Sequence, residues 1–401
     1  MTSTSNVALP GDVVLPNVAL TCENEARVEL EIDGRTVSVA PGATILAAAR
    51  EAGVRIPTLC FLEGVSEVGS CRVCVVEVEG RAELVTACNT KAAPGMRVVT
   101  DSPRVLAARR TALQLVLSRH GLDSTNYCFS CAKNGSCELQ DVCREVGVVD
   151  NPYYERRASY AGGPAGAPGV PGTSGAPFRE PILDSNPFLS YDPNLCIGCQ
   201  RCVGACNNQA HNHTLVAARR GVRTRIEAPF GPDWKTSGCE SCGCCAQACP
   251  TGALIEKRRR GYRSWETRTV RTTCPHCAVG CQIDLVVKDG RIVDAVAADG
   301  PSNKGMLCVK GRSGSFDFVA SPDRLTSPLV RDRETGELRE ASWEEALDAV
   351  VAGFSAVLEE HGEDAIAAFA CSRSTNEDIY LFQKMARCAF RTNNVDNCAR
   401  V

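Results

Sequence analysis

The stretches CIGCQRCVGAC (residues 196–206) and CESCGCCAQACP (residues 239–250) decide which fold this chain is expected to adopt. Both contain four cysteines in the spacing C-x2-C-x2-C-x3-C, and Pro250 closes the second run. Thiolates spaced in this way are typical ligands of [4Fe–4S] clusters. The repeated run therefore predicts a segment that is built around two cubane sites.

The two runs resemble those of two-cluster ferredoxins, in which the fourth cysteine of each run ligates the other cluster. The resemblance assigns one cubane to Cys196, Cys199, Cys202 and Cys249. It assigns the other cubane to Cys239, Cys242, Cys245 and Cys206. Such a crossing ties the two runs together and holds the cubanes close enough for fast electron hopping. Cys244 falls one position out of register and is expected to bind no iron.

The whole chain has 401 residues, 25 cysteines and a net charge of −3. This charge gives no indication of a nucleic-acid partner or of an anionic membrane surface. Cysteines grouped as C-x2-C favour metal clusters over a disulfide framework, and thiolate ligands need a reducing compartment. The N-terminus lacks the features of a signal peptide, and no apolar run approaches the ~18–20 residues of a membrane span. The sequence therefore predicts a cytoplasmic protein without a membrane span of its own.

A first cysteine set precedes the two runs, with intervals of 10, 2 and 13 residues: Cys60, Cys71, Cys74 and Cys88. Before it, VELEIDGRTVSVA (28–40) predicts a hairpin with Asp33-Gly34 at its turn, and TILAAAREAG (44–53) predicts a helix. The order of hairpin, helix and cysteine loop resembles the β-grasp [2Fe–2S] domain of complex I large subunits, iron-only hydrogenases and NAD-linked formate dehydrogenases. The resemblance implies one [2Fe–2S] cluster on these four cysteines, with a four-cysteine zinc site as the alternative.

A second set is carried by CFSCAKNGSCELQ (128–140) and comprises Cys128, Cys131 and Cys137. It follows PRVLAARRTALQLVLSRHG (103–121), which is typical of a helix with Pro in its first turn and Gly past its end. In the same family a histidine four residues before the first cysteine completes a [4Fe–4S] site. Here His120 stands eight residues before Cys128. The resemblance implies His120 as the fourth ligand, and Cys143 is the rival.

A fifth set follows the repeated runs, with intervals of 2, 3 and 26 residues: Cys274, Cys277, Cys281 and Cys308. It resembles the [4Fe–4S] domain that opens molybdopterin-dependent oxidoreductases. In those enzymes a lysine two residues after the last cysteine lies between cluster and pterin. Lys310 occupies that position, so the resemblance implies that it relays electrons to the pterin and contacts it. A solvated surface lysine is the alternative.

Six cysteines remain outside these sets: Cys22, Cys143, Cys244, Cys371, Cys388 and Cys398. Isolated cysteines on apolar faces, such as Cys371 and Cys388, are expected to be small core residues. His276 and the pair His211 and His213 are expected to be structural or solvated.

The last part of the chain predicts the start of an α/β domain. Ser342 with Glu345 is a capping box that opens WEEALDAVVAGFSAVLEE, and Ser374 with Glu377 is expected to cap NEDIYLFQKMARCAF. Between them, AIAAFAC (365–371) is a candidate buried strand.

The order of these modules resembles the catalytic subunit of cytoplasmic formate dehydrogenases, over residues 25–401. In that family Asn-Asn-Val-Asp-x-Cys-Ala-Arg-Val is followed by a metal-binding cysteine or selenocysteine, and this chain stops at Val401. We therefore expect a truncation at this point, with the catalytic metal ligand missing and the chain inactive alone.

The resemblance implies one [2Fe–2S] and four [4Fe–4S] clusters, with a molybdenum or tungsten bis-molybdopterin guanine dinucleotide in the full-length parent. The parent reaction would interconvert formate and carbon dioxide, and either direction fits. A flavin- and NAD-binding diaphorase-type subunit, a hydrogenase or a ferredoxin would exchange the electrons. The alternative is a complete multi-cluster electron-carrier subunit of a hydrogenase or of an NADH-linked complex.

The predicted fold class is α+β and multidomain. The expected segments are a leader (1–25), a β-grasp [2Fe–2S] ferredoxin domain (26–102), a one-histidine, three-cysteine [4Fe–4S] segment (103–150), a Gly/Pro-rich linker (151–187), a two-cubane ferredoxin domain (188–258), a molybdopterin oxidoreductase [4Fe–4S] domain (266–322) and the start of an α/β molybdopterin-binding domain (323–401).

Overall fold

The computed structural model describes residues 27–120, 126–153, 180–220, 224–228, 234, 237–314 and 316–398. The predicted leader (1–25), residues 154–179 of the predicted Gly/Pro-rich linker (151–187) and the end of the chain at Val401 lie outside these residues. The chain forms two compact units, one within residues 1–56 and 75–105 and the other within residues 57–74 and 106–401.

The first unit is built on a five-stranded sheet. Its strands are β1 (Val28–Ile32), β2 (Arg35–Val39), β3 (Val75–Val78), β4 (Val85–Thr86) and β5 (Arg97–Val99). Their order across the sheet is β2-β1-β5-β3-β4, with β1 and β5 parallel. The predicted hairpin joins β1 to β2, and its turn residues Asp33 and Gly34 have φ values of 47° and 78°. Positive φ at both central residues is the geometry of a type I′ turn, which the Asp-Gly sequence favours.

Helix α1 (Ile45–Glu51) covers this sheet, as its sequence predicts. The Thr44 hydroxyl caps the helix by accepting a hydrogen bond from the Ala47 N–H at 3.2 Å. Its buried side chains Ile45 and Leu46 lie in the core of the unit with Leu30 and Ile32 of β1. Apolar residues that alternate along β1 therefore supply one face of the core and the helix supplies the other.

The second unit is assembled from short elements around the cysteine runs. Its helices, together with α2 that leads into it, are α2 (Pro103–Leu117), α3 (Asn126–Ser130), α4 (Glu138–Val146), α5 (Arg201–Gly204), α6 (Cys244–Ala248), α7 (Val309–Ser313), α8 (Trp343–His361) and α9 (Asn376–Cys388). Its strands are β6 (Leu189–Tyr191), β7 (Val216–Ala218), β8 (Arg225–Glu227), β9 (Leu254–Glu256), β10 (Arg268–Thr273), β11 (Gln282–Lys288), β12 (Arg291–Ala297), β13 (Leu329–Arg331), β14 (Leu338–Glu340), β15 (Ala368–Ala370) and β16 (Val395–Asn397).

Helix α2 ends earlier than the pattern predicts, at Leu117 rather than near Gly121. The Ser118 N–H still bonds to the Gln114 carbonyl, but the N–H groups of Arg119 and His120 bond to the carbonyls of Val116 and Leu117 three residues back. Such i→i+3 bonds tighten the last turn into a 3₁₀ conformation. Arg119 and His120 consequently leave the helix surface and point into the neighbouring cysteine region, as their contacts show below.

The two cysteine runs lie between β6 and β9, which pair antiparallel with Leu189 opposite Glu256. This pairing closes the segment, since β6 precedes the first run and β9 follows the second. The core between the strands contains side chains from both runs. Its buried members include Leu189, Tyr191, Trp234, Leu254, Cys202, Cys206, Cys245 and Cys249.

The fifth cysteine set lies beside a three-stranded antiparallel sheet, β10-β11-β12. Asn303, in the loop that leads to Cys308, is almost fully buried. Its side-chain amide donates to the carbonyls of Ala298 and Met306, each at 2.8 Å, and its oxygen accepts from Gln282 N–H at 3.0 Å. The Asn303 side chain thus satisfies three backbone groups that have no partner in a β-sheet here.

The C-terminal segment contains the hairpin β13–β14, the parallel pair β15–β16 and the helices α8 and α9. Ser342 caps α8 by accepting from Glu345 N–H, as predicted. The predicted cap of α9 was wrong by one residue. Thr375 rather than Ser374 accepts from the helix, from Asp378 N–H, because Thr375 is the extended residue directly before the first helical turn.

The expectation that Cys371 and Cys388 are core residues was also wrong, since both are exposed. The elements around them are thinly packed in this structure. No described residue of α8 is buried, and Phe369 of β15 is 75% exposed, so the strand is buried only at Ala368. An apolar face predicts burial only where another element covers it.

Candidate iron–sulfur sites

Four cysteines from the two runs line one small cavity: Cys196, Cys199, Cys202 and Cys249. The first three come from the first run, in and just before α5, and Cys249 follows α6 at the end of the other run. Burial raises the pKa of Cys199, and the charge of Cys249 raises it further. The structure therefore brings the fourth cysteine of the second run to the first run, as the sequence predicts.

The complementary set gathers around Cys245. Burial raises the pKa of Cys245, and the charges of Cys242, Cys239 and Cys206 add to the rise. Cys206 belongs to the first run, so the exchange of fourth cysteines is reciprocal. The Cys206 sulfur accepts hydrogen bonds from the N–H groups of Thr214 and Leu215 at 3.3 and 3.4 Å. Such N–H donors stabilise negative charge on a sulfur ligand.

Both loops have the same backbone pattern. Residues at two matching positions are left-handed, namely Gly198 and Ser241 between the first two cysteines, and Gln200 and Gly243 between the second and third. Alternation of this kind turns successive N–H groups toward one side and makes a concave site for anions. In the first loop Gly198 N–H lies 3.4 Å from the Cys196 sulfur. A cluster that carries negative charge fits such a loop.

A side chain outside the motif also donates to this region. The Asn186 amide lies 3.7 Å from the Cys239 sulfur and 2.9 Å from the Ser241 hydroxyl. Its oxygen accepts from the N–H groups of Phe188 and Leu189, each at 2.9 Å. Asn186 is thereby held in one orientation with its N–H aimed at sulfur.

The three-cysteine set lies at the junction with the ferredoxin-like runs. A Cβ atom at Gly252 would be 2.4 Å from the Cys131 sulfur, so the chain needs glycine where it passes this thiol. The Cys137 thiol lies 3.6 Å from the carbonyl oxygen of Pro250. The set is therefore packed against the end of the second run.

His120 and Cys143, the two candidates for the fourth ligand, both lie near this region. His120 is buried, its Nδ1 is 2.8 Å from the Leu195 carbonyl oxygen, and burial lowers its pKa to about 4. Cys143 lies half-buried in α4, and burial, followed by the charges of Cys137 and Cys128, raises its pKa to about 12. His120 is thus neutral with an Nε2 lone pair, the form in which imidazole binds metals.

All four cysteines of the first set are buried: Cys60, Cys71, Cys74 and Cys88. A hydrogen bond from Cys71 lowers the pKa of Cys60 to about 5, against the effect of burial. A thiolate stabilised in this way suits iron ligation.

The fifth set is the most open of the five. Cys274 is buried, Cys281 is half-buried, and Cys277 and Cys308 are exposed. Burial raises the pKa of Cys281, and the charges of Cys274, Cys277 and Cys308 add to it, so the four are close neighbours. Cys308 precedes α7, and a Cβ atom at Gly311 of this helix would be 2.7 Å from Leu307 Cδ1 and 3.4 Å from the Cys274 sulfur. Lys310 lies exposed on the same short helix.

The described residues contain no group of three His, Cys, Asp or Glu side chains that converges on a single metal ion. The fit to iron–sulfur clusters rests instead on the donor chemistry. Each set offers at least three thiols, and the runs add backbone and amide N–H groups aimed at sulfur. These features match the thiolate ligation and N–H···S bonding of iron–sulfur clusters.

Several residues at these sites carry no sequence signal. Asn186, Thr214 and Arg312 bond to the cysteine loops from outside the motif, and Asn303 orders the fifth set. Only the general expectation that buried polar groups have partners could have pointed to them.

Five family models match consecutive segments of the chain. They are the 2Fe-2S iron-sulfur cluster binding domain (25–103), the NADH-ubiquinone oxidoreductase-G iron-sulfur binding region (109–152), the 4Fe-4S dicluster domain (195–253), the molybdopterin oxidoreductase Fe4S4 domain (267–318) and the molybdopterin oxidoreductase domain (324–401).

Curated relatives are similar over nearly the whole chain. The alpha subunit of an NADPH-Fe(3+) oxidoreductase of Geobacter sulfurreducens is 37% identical over 93% of this chain. A G-type subunit of the NADH-quinone oxidoreductase of Rhizobium meliloti is 34% identical over 93% of it. A Staphylococcus aureus protein, whose name assigns it provisionally to the formate dehydrogenases, is 31% identical over 92%. The chain spans about 40% of the length of these relatives.

Among solved structures, an NAD⁺-reducing [NiFe]-hydrogenase in the H₂-reduced state is 30% identical, with a TM-score of 0.47, over 57% of this chain and 87% of that one. Within the described residues, no helix is both long and apolar enough to cross a membrane.

The five matches place [2Fe–2S], [4Fe–4S] and molybdopterin domains in one continuous order. Successive segments of the chain are therefore similar to iron–sulfur and molybdopterin oxidoreductase domains, with the NADH-ubiquinone oxidoreductase-G iron-sulfur binding region among them.

Proposed function

We propose that this chain conducts electrons, one at a time, between a molybdopterin active site and a redox partner through five iron–sulfur clusters. The observation that carries the proposal is the reciprocal exchange of Cys206 and Cys249 between the two runs. A crossed ligand set supports two adjacent cubanes, and adjacent cubanes suit electron hopping. When bound, each cluster supplies a site that stores one electron.

The remaining sets extend this pair in both directions along the chain. We assign a [2Fe–2S] cluster to Cys60, Cys71, Cys74 and Cys88, in a β-grasp domain whose strand order is β2-β1-β5-β3-β4. We assign a [4Fe–4S] cluster to Cys128, Cys131 and Cys137, completed by His120. A further [4Fe–4S] cluster is assigned to Cys274, Cys277, Cys281 and Cys308, with Lys310 as the residue between it and the pterin.

The residues around these sites set the redox potentials of the clusters, and they form or break no covalent bonds of a substrate. Thr214 and Leu215 N–H groups and the Asn186 amide donate to ligand sulfurs, and the Tyr191 and Trp234 rings stack 5.6 Å apart in the core beside the runs. Hydrogen bonds to sulfur, burial and local charge are the means by which a protein sets cluster potentials. The presence of such donors and of extensive burial around the two runs supports this tuning role.

For the substrate we propose formate, which would be oxidised to carbon dioxide at a molybdenum or tungsten bis-molybdopterin guanine dinucleotide. The Staphylococcus aureus relative and the C-terminal sequence NNVDNCARV support this assignment. For the electron acceptor we propose a flavin- and NAD(P)-binding partner subunit, because two relatives are named as subunits of NADPH- and NADH-linked oxidoreductases. A hydrogenase or a ferredoxin would also accept these electrons.

The electron-transfer role is tested by anaerobic reductive titration of the reconstituted chain. We expect uptake of about five electrons per chain, one for each cluster, with cluster EPR signals that develop as electrons are added. A protein that contains zinc in place of iron, or that takes up no electrons, would overturn the proposal.

The substrate is tested on native protein that contains the molybdopterin site and is purified with its redox partners. Formate added without oxygen should reduce the clusters, whereas the same protein with acetate should remain oxidised. Reduction by NADH or NADPH with none by formate would contradict the formate assignment and leave the electron-transfer role intact.

A further inference from the structure

Two arginines from outside the ferredoxin-like runs reach into the two cysteine loops. Arg119 follows α2, next to His120, and Arg312 lies in α7, four residues after Cys308. Each comes from a segment that carries a neighbouring cysteine set. Each also meets a left-handed glycine of one loop, Gly198 for Arg119 and Gly243 for Arg312.

Arg312 is 1% exposed and is held by the second run. Its Nε donates to the Cys242 carbonyl at 3.2 Å, its Nη1 lies 2.8 Å from a Glu256 carboxylate oxygen, and its Nη2 donates to Gln247. A Cβ atom at Gly243 would be 2.3 Å from Arg312 Cδ, so the loop accepts this side chain only because residue 243 is glycine. A buried guanidinium is thus fixed against the loop that carries Cys242 and Cys245.

Arg119 has the corresponding place at the first run. Its Nη2 donates to the Thr224 carbonyl at 2.8 Å, and a Cβ atom at Gly198 would be 3.0 Å from three atoms of its guanidinium. Burial raises the pKa of the Cys196 thiol, and the charge of Arg119 is among the influences that oppose this rise. Arg201 also acts on this loop, but it belongs to the run itself, whereas Arg119 and Arg312 come from outside the runs.

We propose that Arg119 and Arg312 are a pair of potential-setting residues, each supplied by a neighbouring module to one cubane. Arg119 serves the site of Cys196, Cys199, Cys202 and Cys249. Arg312 serves the site of Cys239, Cys242, Cys245 and Cys206. The inference rests on the proposed function, since it requires cubanes in both runs.

The physical basis is charge. Reduction adds one negative charge to a cubane, and a fixed cation in a region shielded from water stabilises that charge more strongly than an exposed cation does. Each arginine therefore raises the midpoint potential of its own cubane.

The test is an EPR-monitored redox titration of the whole chain, carried out on R119M, R312M and a control, R391M, whose arginine is an exposed surface residue. We expect the midpoint potential of one cubane to fall in R119M and that of the other cubane to fall in R312M. R391M should match the parent. R119K and R312K, which keep the charge, should recover most of the loss.

The two cubanes are told apart in a background in which Cys239, Cys242 and Cys245 are replaced by serine. There R119M should still lower a midpoint potential, and R312M should lower none. Iron-replete R119M and R312M variants whose potentials equal the parent's would overturn the inference, as would a shift of the same cubane by both.

A second measurement covers the case in which R312M loses iron. E256Q keeps Arg312 and removes its counter-charge, so the midpoint potential of the Arg312 cubane should rise at pH 8. An unchanged potential in E256Q would overturn the role of Arg312. Failure of the parent chain to bind iron would instead contradict the proposed function, so the two failures are distinguishable.

Discussion

His120 Nδ1 lies 2.8 Å from the carbonyl oxygen of Leu195, the residue directly before the first ferredoxin-like run. A carbonyl oxygen only accepts hydrogen bonds, so Nδ1 carries the proton and Nε2 carries the lone pair. A backbone carbonyl that fixes the tautomer in this way is common for metal-binding histidines. The contact also ties the three-cysteine segment to the first run. Thr251, which follows the second run, donates from Oγ1 to the same carbonyl at 3.0 Å.

The first prediction is that His120 completes the site of Cys128, Cys131 and Cys137. His120→Ala should alter or abolish the EPR signal of one cubane and leave the other signals unchanged, because Nε2 is the ring nitrogen that carries the lone pair for iron. Cys143→Ala is the matched variant and should leave all signals intact. The reverse result, with Cys143→Ala affecting one cubane and His120→Ala none, would make Cys143 the ligand.

The exchange of fourth cysteines between the runs gives the second prediction. In a background with Cys239, Cys242 and Cys245 replaced by serine, one cubane should already be missing. Adding Cys206→Ser should then cost no further iron, whereas adding Cys249→Ser should cost about four iron atoms. Iron analysis of the two combined variants decides the point. If the costs were reversed, each run would bind its own cluster.

A third prediction concerns pH. Burial raises the pKa of Glu256 to about 7, with Asp294 adding to the rise and Arg312 opposing it. Arg258 and the Tyr262–Asp294 hydrogen bond of 2.7 Å complete the charged surroundings. Below pH 7 the neutral carboxyl leaves the charge of Arg312 unopposed, and above pH 7 the carboxylate offsets it.

The midpoint potential of the cubane beside Arg312 should therefore fall as the pH rises through about 7. Potentials measured between about pH 5.5 and 8.5 test this, and the dependence should vanish in Glu256→Gln. A cubane whose potential falls equally with pH in the parent chain and in Glu256→Gln would owe the effect to another group.

The fourth prediction concerns Asn303, whose amide joins the loop before Cys308 to β11. Asn303→Ala should destabilise this part of the chain by about 2–4 kcal/mol, because it leaves several buried backbone groups without partners. On chemical denaturation of this variant, the iron of the fifth cysteine set should be lost before the iron of the other sets. Ser302→Ala, at an exposed neighbour with a single hydrogen bond, is the control and should behave like the parent.

Local patterns were sufficient to predict those parts of the structure that depend on local geometry. Asp33-Gly34 predicts the hairpin turn because both residues tolerate positive φ, and Ser342 predicts the start of α8 because its hydroxyl caps the helix. The resemblance of the two runs to two-cluster ferredoxins likewise indicates which four cysteines line the cavity of Cys196, Cys199, Cys202 and Cys249.

Contacts between distant parts of the chain could not be predicted in this way. Arg312 meets Glu256 and Cys242 across 56 and 70 residues, and nothing in the sequence around Arg312 indicates either partner. The expected burial of Cys371 and Cys388 failed for a related reason. Periodicity shows that a face is apolar, but only the packing of other elements decides whether that face is buried.

The most direct test of the account is the iron and acid-labile sulfide content of the anaerobically reconstituted full chain. Two atoms from one [2Fe–2S] cluster and sixteen from four cubanes give an expected content of about 18 iron atoms per chain, with a matching amount of sulfide. Zinc or a few equivalents of iron without sulfide would contradict the assignment of the five cysteine sets to iron–sulfur clusters.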